Sequence, residues 1–337
     1  MRPPNESYDA REARKLPIRF LSKLIVLAVA LCCGTAAAQT FPARALKILV
    51  PSVAGSSPDI RARQIAGKLA EAFGQPVIVE NRTGANGLIA AREAAKAPPD
   101  GHTLFLALIN NAVTDAINPD PCCRLGSELI PVSRFSMTPY LWLVNAEVPA
   151  QTLQELIALA RAKPDTVTLA SHGPGSLPNL LGAWLKNEGG VRLLEVPYKG
   201  VNSEIPDLQS GQVMSAFVVP QVVLGPLKAG KLRALAVTAR ERLAILPDVP
   251  TTAEAGLPGL EAIVWNGIFV PAGTPASVVE RLHRELVRAY NAPEVREQLR
   301  AGGSYAAADT PEEFAAFVRS EKEKWGRLGR EAGIKAQ

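Results

Sequence analysis

Two short turns rich in glycine and serine carry the residues best suited to bind a ligand. They are Ala54–Ser57 and Gly173–Ser176, and each stands between an apolar segment and an amphipathic one. Glycine lets backbone N–H groups approach a ligand closely, and a helix that begins at such a turn favours negative charge. Two turns of this kind facing one another predict a site for a small anion, such as one with a carboxylate at each end. The alternative is that both are ordinary turns between strand and helix, where Gly and Ser are common.

Residues suited to catalysis are few. The sequence has no His-Glu-x-x-His, Gly-x-Ser-x-Gly or Cys-x-x-Cys motif, and neither turn has the pattern of a phosphate or dinucleotide loop. Ser171 and His172 are neighbours at a strand end, where successive side chains point apart, so they do not form a nucleophile–base pair. His172 is either a polar group lining a ligand cleft or an exposed loop residue. We therefore expect a binding protein that is not an enzyme and that has no cofactor or metal ion.

The N-terminus has the composition of a secretory signal peptide. A basic stretch from Arg11 to Lys23 precedes the apolar run Leu24–Cys33, and the small residues Ala36–Ala38 stand before Gln39. This order predicts export, cleavage after about Ala38 and a periplasmic location. The alternative is a membrane anchor, which is disfavoured because the apolar run is shorter than the about twenty residues that span a bilayer.

Charge and composition narrow the class of function. The 337-residue chain has a net charge of +5, but residues 1–38 hold six Lys/Arg and three Asp/Glu, which leaves 31 basic and 29 acidic residues, or +2. A body this close to neutral does not indicate nucleic-acid binding. The apolar content of 47% excludes a disordered chain, and the aromatic content of 5% argues against a cleft that stacks on sugars. The length predicts about two domains.

After removal of the signal peptide, the expected mature chain has one pair of adjacent cysteines. Two of the four leave with the signal peptide, which leaves Cys122 and Cys123 in a proline-rich segment. Cysteines in an oxidising compartment normally pair, and neighbours can pair only as a strained vicinal disulfide. We therefore expect a possible disulfide between Cys122 and Cys123 that closes a surface loop, and we consider a redox or metal-binding role for the pair the weaker alternative.

Strand, Gly/Ser turn and helix alternate along the mature chain, which predicts an α/β fold. The predicted strands are Leu46–Pro51, Val77–Glu80, Thr103–Ile109, Thr166–Ser171, Leu193–Val196, Val213–Val219 and Leu232–Thr238. The predicted helices begin at Ser57 (as N-cap), Asn86, Thr152, Ser176, Ser203, Thr274, Pro293 and Thr310. The order of elements around Gly55 returns around Gly175, which indicates two similar halves. The polar-faced helices at the end of the chain suit packing on the first half, so we expect a discontinuous first domain.

At this point the sequence resembles a known family, the Bug-type extracytoplasmic solute receptors of tripartite tricarboxylate transporters. The segments that carry the resemblance are Phe41–Pro51, Gly74–Arg82, Gly84–Gly87, Pro99–Leu104, Val196–Gly200, Lys228–Thr238, Leu246–Thr251, Glu254–Pro258, Pro271–Pro275 and Thr310–Phe314. They cover the mature chain in order. The family implies an α/β fold of the type II periplasmic binding protein class, with two α/β domains and a ligand cleft between them. We expect a signal peptide (1–38), a discontinuous first domain (39–142 and 256–337) and a second domain (143–255).

The resemblance also implies the ligand and the partners. Members bind small carboxylates and deliver them to a membrane permease, so we expect a monomer that binds a small di- or tricarboxylate-like anion and meets permease subunits or a sensor. Carried over by position, the binding residues are Val53, Ala54, Gly55, Ser56, Ser57, Asn110, Ser171, His172, Gly173, Gly175, Ser176, Tyr198, Lys199, Gly200, Phe217 and Val218. Backbone amides, hydroxyls and helix dipoles would hold the anion without a required positive side chain. The alternatives are an exported enzyme on the same scaffold and an orphan receptor for signalling.

This chain departs from the family at the predicted cleft. The family usually has a run of glycines where this chain has Gly55-Ser56-Ser57-Pro58, and Pro174 and Pro178 remove backbone donors from the second turn. The family often carries an Asp at the position of Val218, which can receive an amino group. Valine cannot, so an amino-acid ligand is disfavoured. The segment Leu108–Leu125 fits the family poorly, and its conformation is left open.

Overall fold

The computed structural model describes residues 41–118 and 123–334, and the predicted signal peptide and Cys122 lie outside these ranges. The strands are β1 (Leu46–Val50), β2 (Val77–Asn81), β3 (Thr103–Leu108), β4 (Leu129–Pro139), β5 (Leu141–Asn145), β6 (Thr168–Ser171), β7 (Leu194–Pro197), β8 (Ser215–Val218), β9 (Leu232–Val237), β10 (Ile263–Pro271) and β11 (Tyr305–Ala306). The described α-helices are α1 (Ser57–Phe73), α2 (Leu88–Ala95), α3 (Ile109–Ile117), α4 (Leu153–Ala162), α5 (Leu177–Asn187), α6 (Val201–Ser210), α7 (Leu224–Lys228), α8 (Ala276–Tyr290), α9 (Pro293–Ala301) and α10 (Pro311–Glu331).

The strands form two mixed sheets, which confirms the predicted α/β class. The first sheet has the order β11-β4-β10-β3-β1-β2, and the second has the order β7-β6-β8-β5-β9. Strands β1, β2 and β3 run parallel to one another, and so do β6, β7 and β8. The inner strands β1, β3, β6 and β8 are mostly buried, because helices cover parallel strands in most α/β proteins, whereas the edge strands β2 and β7 are partly exposed. Contacts between residues divide the chain into two units, Met1–Ala43 and Arg44–Gln337, and both sheets belong to the second unit.

The chain passes between the two sheets twice, and the two crossings are hydrogen-bonded to each other. The first crossing is Tyr140, between β4 and β5, and the second comprises the residues between β9 and β10. The Tyr140 N–H donates to Oγ1 of Thr238 at 2.9 Å, and the Thr238 N–H donates to the Tyr140 carbonyl at 2.9 Å. The Thr238 hydroxyl also donates to the Ala262 carbonyl at 2.6 Å. The links between the sheets are thus held side by side.

Most of the predicted elements are present, with corrections at the starts of two helices. The N-cap of α1 is Ser56, not Ser57, and the helix predicted from Asn86 begins at Leu88, because Asn86 is left-handed. Helix α1 ends at Gly74, which is also left-handed. Strand β4, strand β5 and helix α3 were not predicted from their own residues. Trp265 lies in β10. At the start of α4 the Glu155 N–H donates to Thr152 Oγ1, and the Glu155 carboxylate accepts the Gln151 N–H.

Aromatic side chains fill the centre of each half. Trp265 meets Phe314 edge-on with ring centres 5.7 Å apart, and in the second sheet Trp142 meets Phe217 at 4.9 Å. All four rings are buried, and each large buried side chain contributes about 1.5–3 kcal/mol to folding. No helix within 41–118 or 123–334 is both long enough and apolar enough to cross a bilayer.

Candidate functional site

The predicted binding residues follow the carboxyl ends of parallel strands in both sheets. In the first sheet, Val53–Ser57 follows β1 and Asn110 follows β3, and these two strands are hydrogen-bonded neighbours. In the second sheet, Ser171 ends β6 and is followed by the loop to Ser176, Tyr198–Gly200 follows β7, and Phe217 and Val218 end β8. Loops at this edge of an α/β sheet are where ligands bind in folds of this type.

A third turn, absent from the predicted set, joins the first edge. It is Gly84–Gly87, which follows β2, and all four of its residues have positive φ angles. A Cβ at Gly87 would lie 2.5 Å from Asn111 Nδ2 and 3.0 Å from Pro51 Cβ, so only glycine fits there. The resemblance had marked this segment without giving it a position. The structure packs it against the segments that lead into the first loop and into α3.

The side chain of Asp59, in the first turn of α1, holds the first loop in place by hydrogen bonds. Its carboxylate is buried and accepts the Gly55 N–H at 2.8 Å and Asn81 Nδ2 at 2.9 Å, and Arg63 Nε lies 3.0 Å away. Asn81 Nδ2 also donates to the Ser52 carbonyl at 2.9 Å. The hydrogen bond from Arg63 is the largest cause that lowers the pKa of Asp59 to about 2. A charged carboxylate therefore fixes the loop.

The second loop is built in the same way with a different side chain. The Gly175 N–H donates to Oδ1 of Asn179 at 3.0 Å, so the acceptor again lies four residues beyond the glycine. Asn179 Nδ2 in turn donates to both carboxylate oxygens of Glu195, at 2.9 and 2.8 Å, and the Ser171 hydroxyl donates to Glu195 as well. Ser176 caps α5 as predicted, since its hydroxyl accepts the Asn179 N–H.

In this conformation, these bonds reduce the number of backbone N–H groups that are free to bind an anion. The amides of Gly55 and Gly175, expected to bind the ligand, are each occupied by a side chain of their own helix. The first amides of a helix lack intrahelical acceptors, so first-turn amides of α1 and α5 remain as donors, apart from Pro58 and Pro178, which have no N–H, and Asn179, whose N–H is bound by the Ser176 hydroxyl.

A buried acid lies behind His172 in the second loop. His172 Nε2 is 2.6 Å from Oε2 of Glu204, whose exposure is 1%. Tyr140 and Tyr198 lie close enough to Glu204 for its carboxylate to affect their pKa values. Burial is the main cause that raises the pKa of Tyr198 to about 12, and the bond from its hydroxyl to Asp207, at 3.0 Å, adds to it. Burial likewise raises the pKa of Tyr140 well above its usual value, and the charge of Glu204 adds to that shift. His172 is thus a partly exposed loop residue with a buried carboxyl partner.

The predicted site residues differ in accessibility. Val53, Ala54, Gly55, Asn110 and Lys199 are exposed, whereas the side chains of Ser171, Phe217 and Val218 are buried.

The carboxyl edges of the two sheets are connected by direct contacts. A Cβ at Gly175 would lie 3.0 Å from Cδ1 of Ile117, at the end of α3, so the second loop packs on a helix of the first sheet. Arg61 Nη2, on α1, donates to Oε1 of Gln221 at 3.3 Å, beyond the end of β8. On α1, the apolar Ile60 is 49% exposed, whereas the charged Arg61 beside it is buried. The sequence offered one sign of this: Arg61 stands four residues before the buried Ile65.

A cavity of about 680 Å³ lies apart from these loops. It is lined by residues 239–245 of the second crossing, and by Ile263, Ser304 and Phe317 among others. None of the predicted site residues lines it. In the part of the chain that the structure describes, no group of three or more His, Cys, Asp or Glu side chains could hold a metal ion.

Comparisons with known proteins agree with this architecture. A family model described as the tripartite tricarboxylate transporter family receptor matches residues 61–334. Protein BugT of Bordetella pertussis is 33% identical over 313 residues, which cover 92% of this chain and 96% of BugT. Rpa4515 of R. palustris, solved with adipate, is 30% identical with a TM-score of 0.77, covering 88% of this chain and 99% of that one. MatC of Rhodopseudomonas palustris, solved with bound malate, is 32% identical with a TM-score of 0.75, covering 86% and 99%.

The fold and the comparisons together define a solute-binding receptor of the periplasmic type, with two mixed α/β sheets. The chain belongs to the tripartite tricarboxylate transporter receptor family, which includes the Bug proteins. The resemblance drawn from the sequence motifs is therefore confirmed.

Proposed function

We propose that this receptor binds a small organic carboxylate in the periplasm and presents it to the membrane permease of a tripartite transporter. The observation that carries the proposal is the matched construction of the two loops, each placed before a helix N-terminus at the carboxyl edge of its sheet. Helix N-termini favour anions. The relatives solved with adipate and malate add that this architecture accommodates dicarboxylates.

The binding residues we propose are those predicted from the sequence. They lie in four loops, which follow β1, β3, β6 and β7, and at the carboxyl end of β8. Lys199, exposed beyond β7, and His172, backed by Glu204, add polar side chains to the first-turn amides of α1 and α5. Val218 offers no acceptor for an ammonium group, which supports a simple acid over an amino acid as the ligand. The receptor acts by closing its two halves on the anion, as hinged binding proteins do, and it carries out no chemistry on it.

A panel of carboxylic acids tests the proposal by thermal unfolding of the receptor without its signal peptide. We expect adipate, malate or a related acid to stabilise the protein by about 2.7 kcal/mol at one hundred times its dissociation constant. Amides of the same acids should give no shift. The absence of a shift with every acid would favour an orphan receptor, and conversion of a bound acid into a product would show an enzyme.

A matched pair of variants tests the location of the site. Val53 is 64% exposed in the first loop and Ile78 is 52% exposed near the start of β2, so an acid at either position costs little stability. Val53→Glu places a negative charge beside the proposed anion and should abolish the ligand-induced shift, whereas Ile78→Glu should keep it. Equal shifts in both variants would remove the first loop from the site.

The proposed location has its own test. Expression of the full chain in a Gram-negative host, followed by fractionation and N-terminal sequencing, should give a periplasmic protein that begins at Gln39. Retention of the first 38 residues in the membrane fraction would show an anchor instead.

A further inference from the structure

Arg61 is a buried positive charge for which the protein supplies no counter-charge. Its exposure is 8%, and Nη2 donates to two neutral acceptors, Oε1 of Gln221 and Oγ of Ser304, each at 3.3 Å. Within residues 41–118 and 123–334, no carboxylate oxygen comes within 4.0 Å of its guanidinium nitrogens. Because buried charges in proteins are normally paired, an unpaired one points to a partner that is not part of the chain.

Cations elsewhere in the fold show the usual arrangement. Arg63, two residues further along α1, lies 3.0 Å from Asp59, and Lys322 Nζ lies 2.6 Å from Oδ2 of Asp115. Burial lowers the pKa of Arg61 to about 10, so the side chain remains charged at neutral pH. The protein therefore carries the unfavourable free energy of a desolvated, unpaired guanidinium.

The position of Arg61 places this charge where the two carboxyl edges converge. On α1 it stands four residues after Ser57, so it lies on the same helix face as the end of the first loop. Its partner Gln221 stands three residues beyond Val218, the last residue of β8. The guanidinium thus lies where the second turn of α1 meets the segment beyond β8 and Ser304, which directly precedes β11.

We propose that Arg61 supplies the counter-charge for one carboxylate of a dianionic ligand, so that the receptor selects dicarboxylates over monocarboxylates. This inference rests on the proposed function and narrows its ligand class. A guanidinium has five N–H donors, and the two long bonds to neutral acceptors leave others for a carboxylate. Binding the ligand pairs the buried charge, so the ligand restores what the free protein lacks. The sequence-based expectation of a site without a required positive side chain is replaced by this assignment.

The test measures stability and affinity in the same variants. Arg61→Met removes the charge and keeps a long side chain, and Arg61→Gln removes the charge but keeps a polar amide. Lys68→Met is the control, because Lys68 lies on the same helix and is paired with Glu294 at 2.8 Å. The probes are adipate and hexanoate, which share a six-carbon chain and differ in one carboxylate, with binding measured by calorimetry.

Removing an unpaired buried charge should raise the melting temperature of the free Arg61→Met protein by about 2–4 °C. Its affinity for adipate should fall about 10- to 100-fold, while its affinity for hexanoate changes by less than about threefold. Arg61→Gln should show the same loss of adipate affinity, and Lys68→Met should bind both acids as the wild type does. A structural arginine would not give a protein that is more stable and yet binds the dianion more weakly.

Three results would overturn the assignment. If Arg61→Met melts at a lower temperature and binds adipate like the wild type, Arg61 is structural. If the variant loses adipate and hexanoate equally, its charge does not distinguish dianions. If the wild type binds neither these acids nor any other member of the carboxylate panel, the proposed function fails together with the inference.

Discussion

The first loop of this receptor depends on a charged carboxylate, and its contribution to stability can be worked out from the pKa of Asp59. That pKa is lowered from 3.8 to about 2, chiefly by the hydrogen bond from Arg63. A shift of this size corresponds to about 2.5 kcal/mol at neutral pH. Arg63 is 53% exposed, and solvent screening of its charge reduces the expected figure to about 1–2 kcal/mol.

Asp59→Asn removes the charge and keeps an oxygen that can accept the Gly55 N–H, as Asn179 does for Gly175. We expect the variant to unfold at lower urea concentration at pH 7, by the equivalent of about 1–2 kcal/mol. Because the folded pKa lies below the unfolded one, the stabilisation is complete above pH 5 and disappears as the pH falls through 2. About half of the difference between wild type and variant should therefore be gone at pH 3.

Urea unfolding followed by tryptophan fluorescence at pH 7, 5 and 3 measures this difference. Asp248→Asn is a control, because Asp248 is exposed and should show no effect at any pH. The reasoning is refuted if Asp59→Asn is as stable as the wild type at pH 7, or if the loss of stability is the same at pH 7 and pH 3.

Further predictions concern the second loop and the core. Asn179→Asp sets a second carboxylate against Glu195 and removes the amide that donates to it, so it should cost about 1–3 kcal/mol in urea unfolding at pH 7. Gly267→Ala should lower stability by about 1–3 kcal/mol, because its Cβ would lie 2.2 Å from Cζ of the buried Phe314. Gly67→Ala is the matched control, because a Cβ at this position of α1 would meet no other atom. It should raise the free energy of unfolding by about 0.5–1 kcal/mol, since alanine favours a helix over glycine.

The elements around the site could be predicted because their signals are local. Ser176 caps its helix and Gly74 ends α1 because short-range backbone geometry selects these residue types. Strand β4 was missed for the opposite reason. It contains Pro131 and Pro139, its ladder with β10 has two register shifts, and Ser133 and Ser136 are buried within it, so no clean alternation is visible.

The chemistry of the candidate site could be predicted less well than its location. The Gly/Ser turns marked the strand ends, but the sequence alone does not show that Asp59 and Asn179 occupy the loop amides. Those bonds depend on Asn81 and Glu195, which come from other strands. The burial of Arg61 was not predicted, because it depends on which face of α1 packs against the second half of the chain. The residue pattern of one helix does not determine that contact.

Strand β10 is made late and lies in the middle of the first sheet, between β3 and β4. Those two strands are not hydrogen-bonded neighbours, so the first sheet stays in two separate pieces until residues 263–271 have been synthesised. The second sheet needs no strand beyond β9. Because pairing between distant segments is slow, the nascent or newly translocated chain passes through a state with one finished sheet and exposed strand edges on the other. A chain truncated before β10 would remain in that state, and we expect it to aggregate or to be degraded.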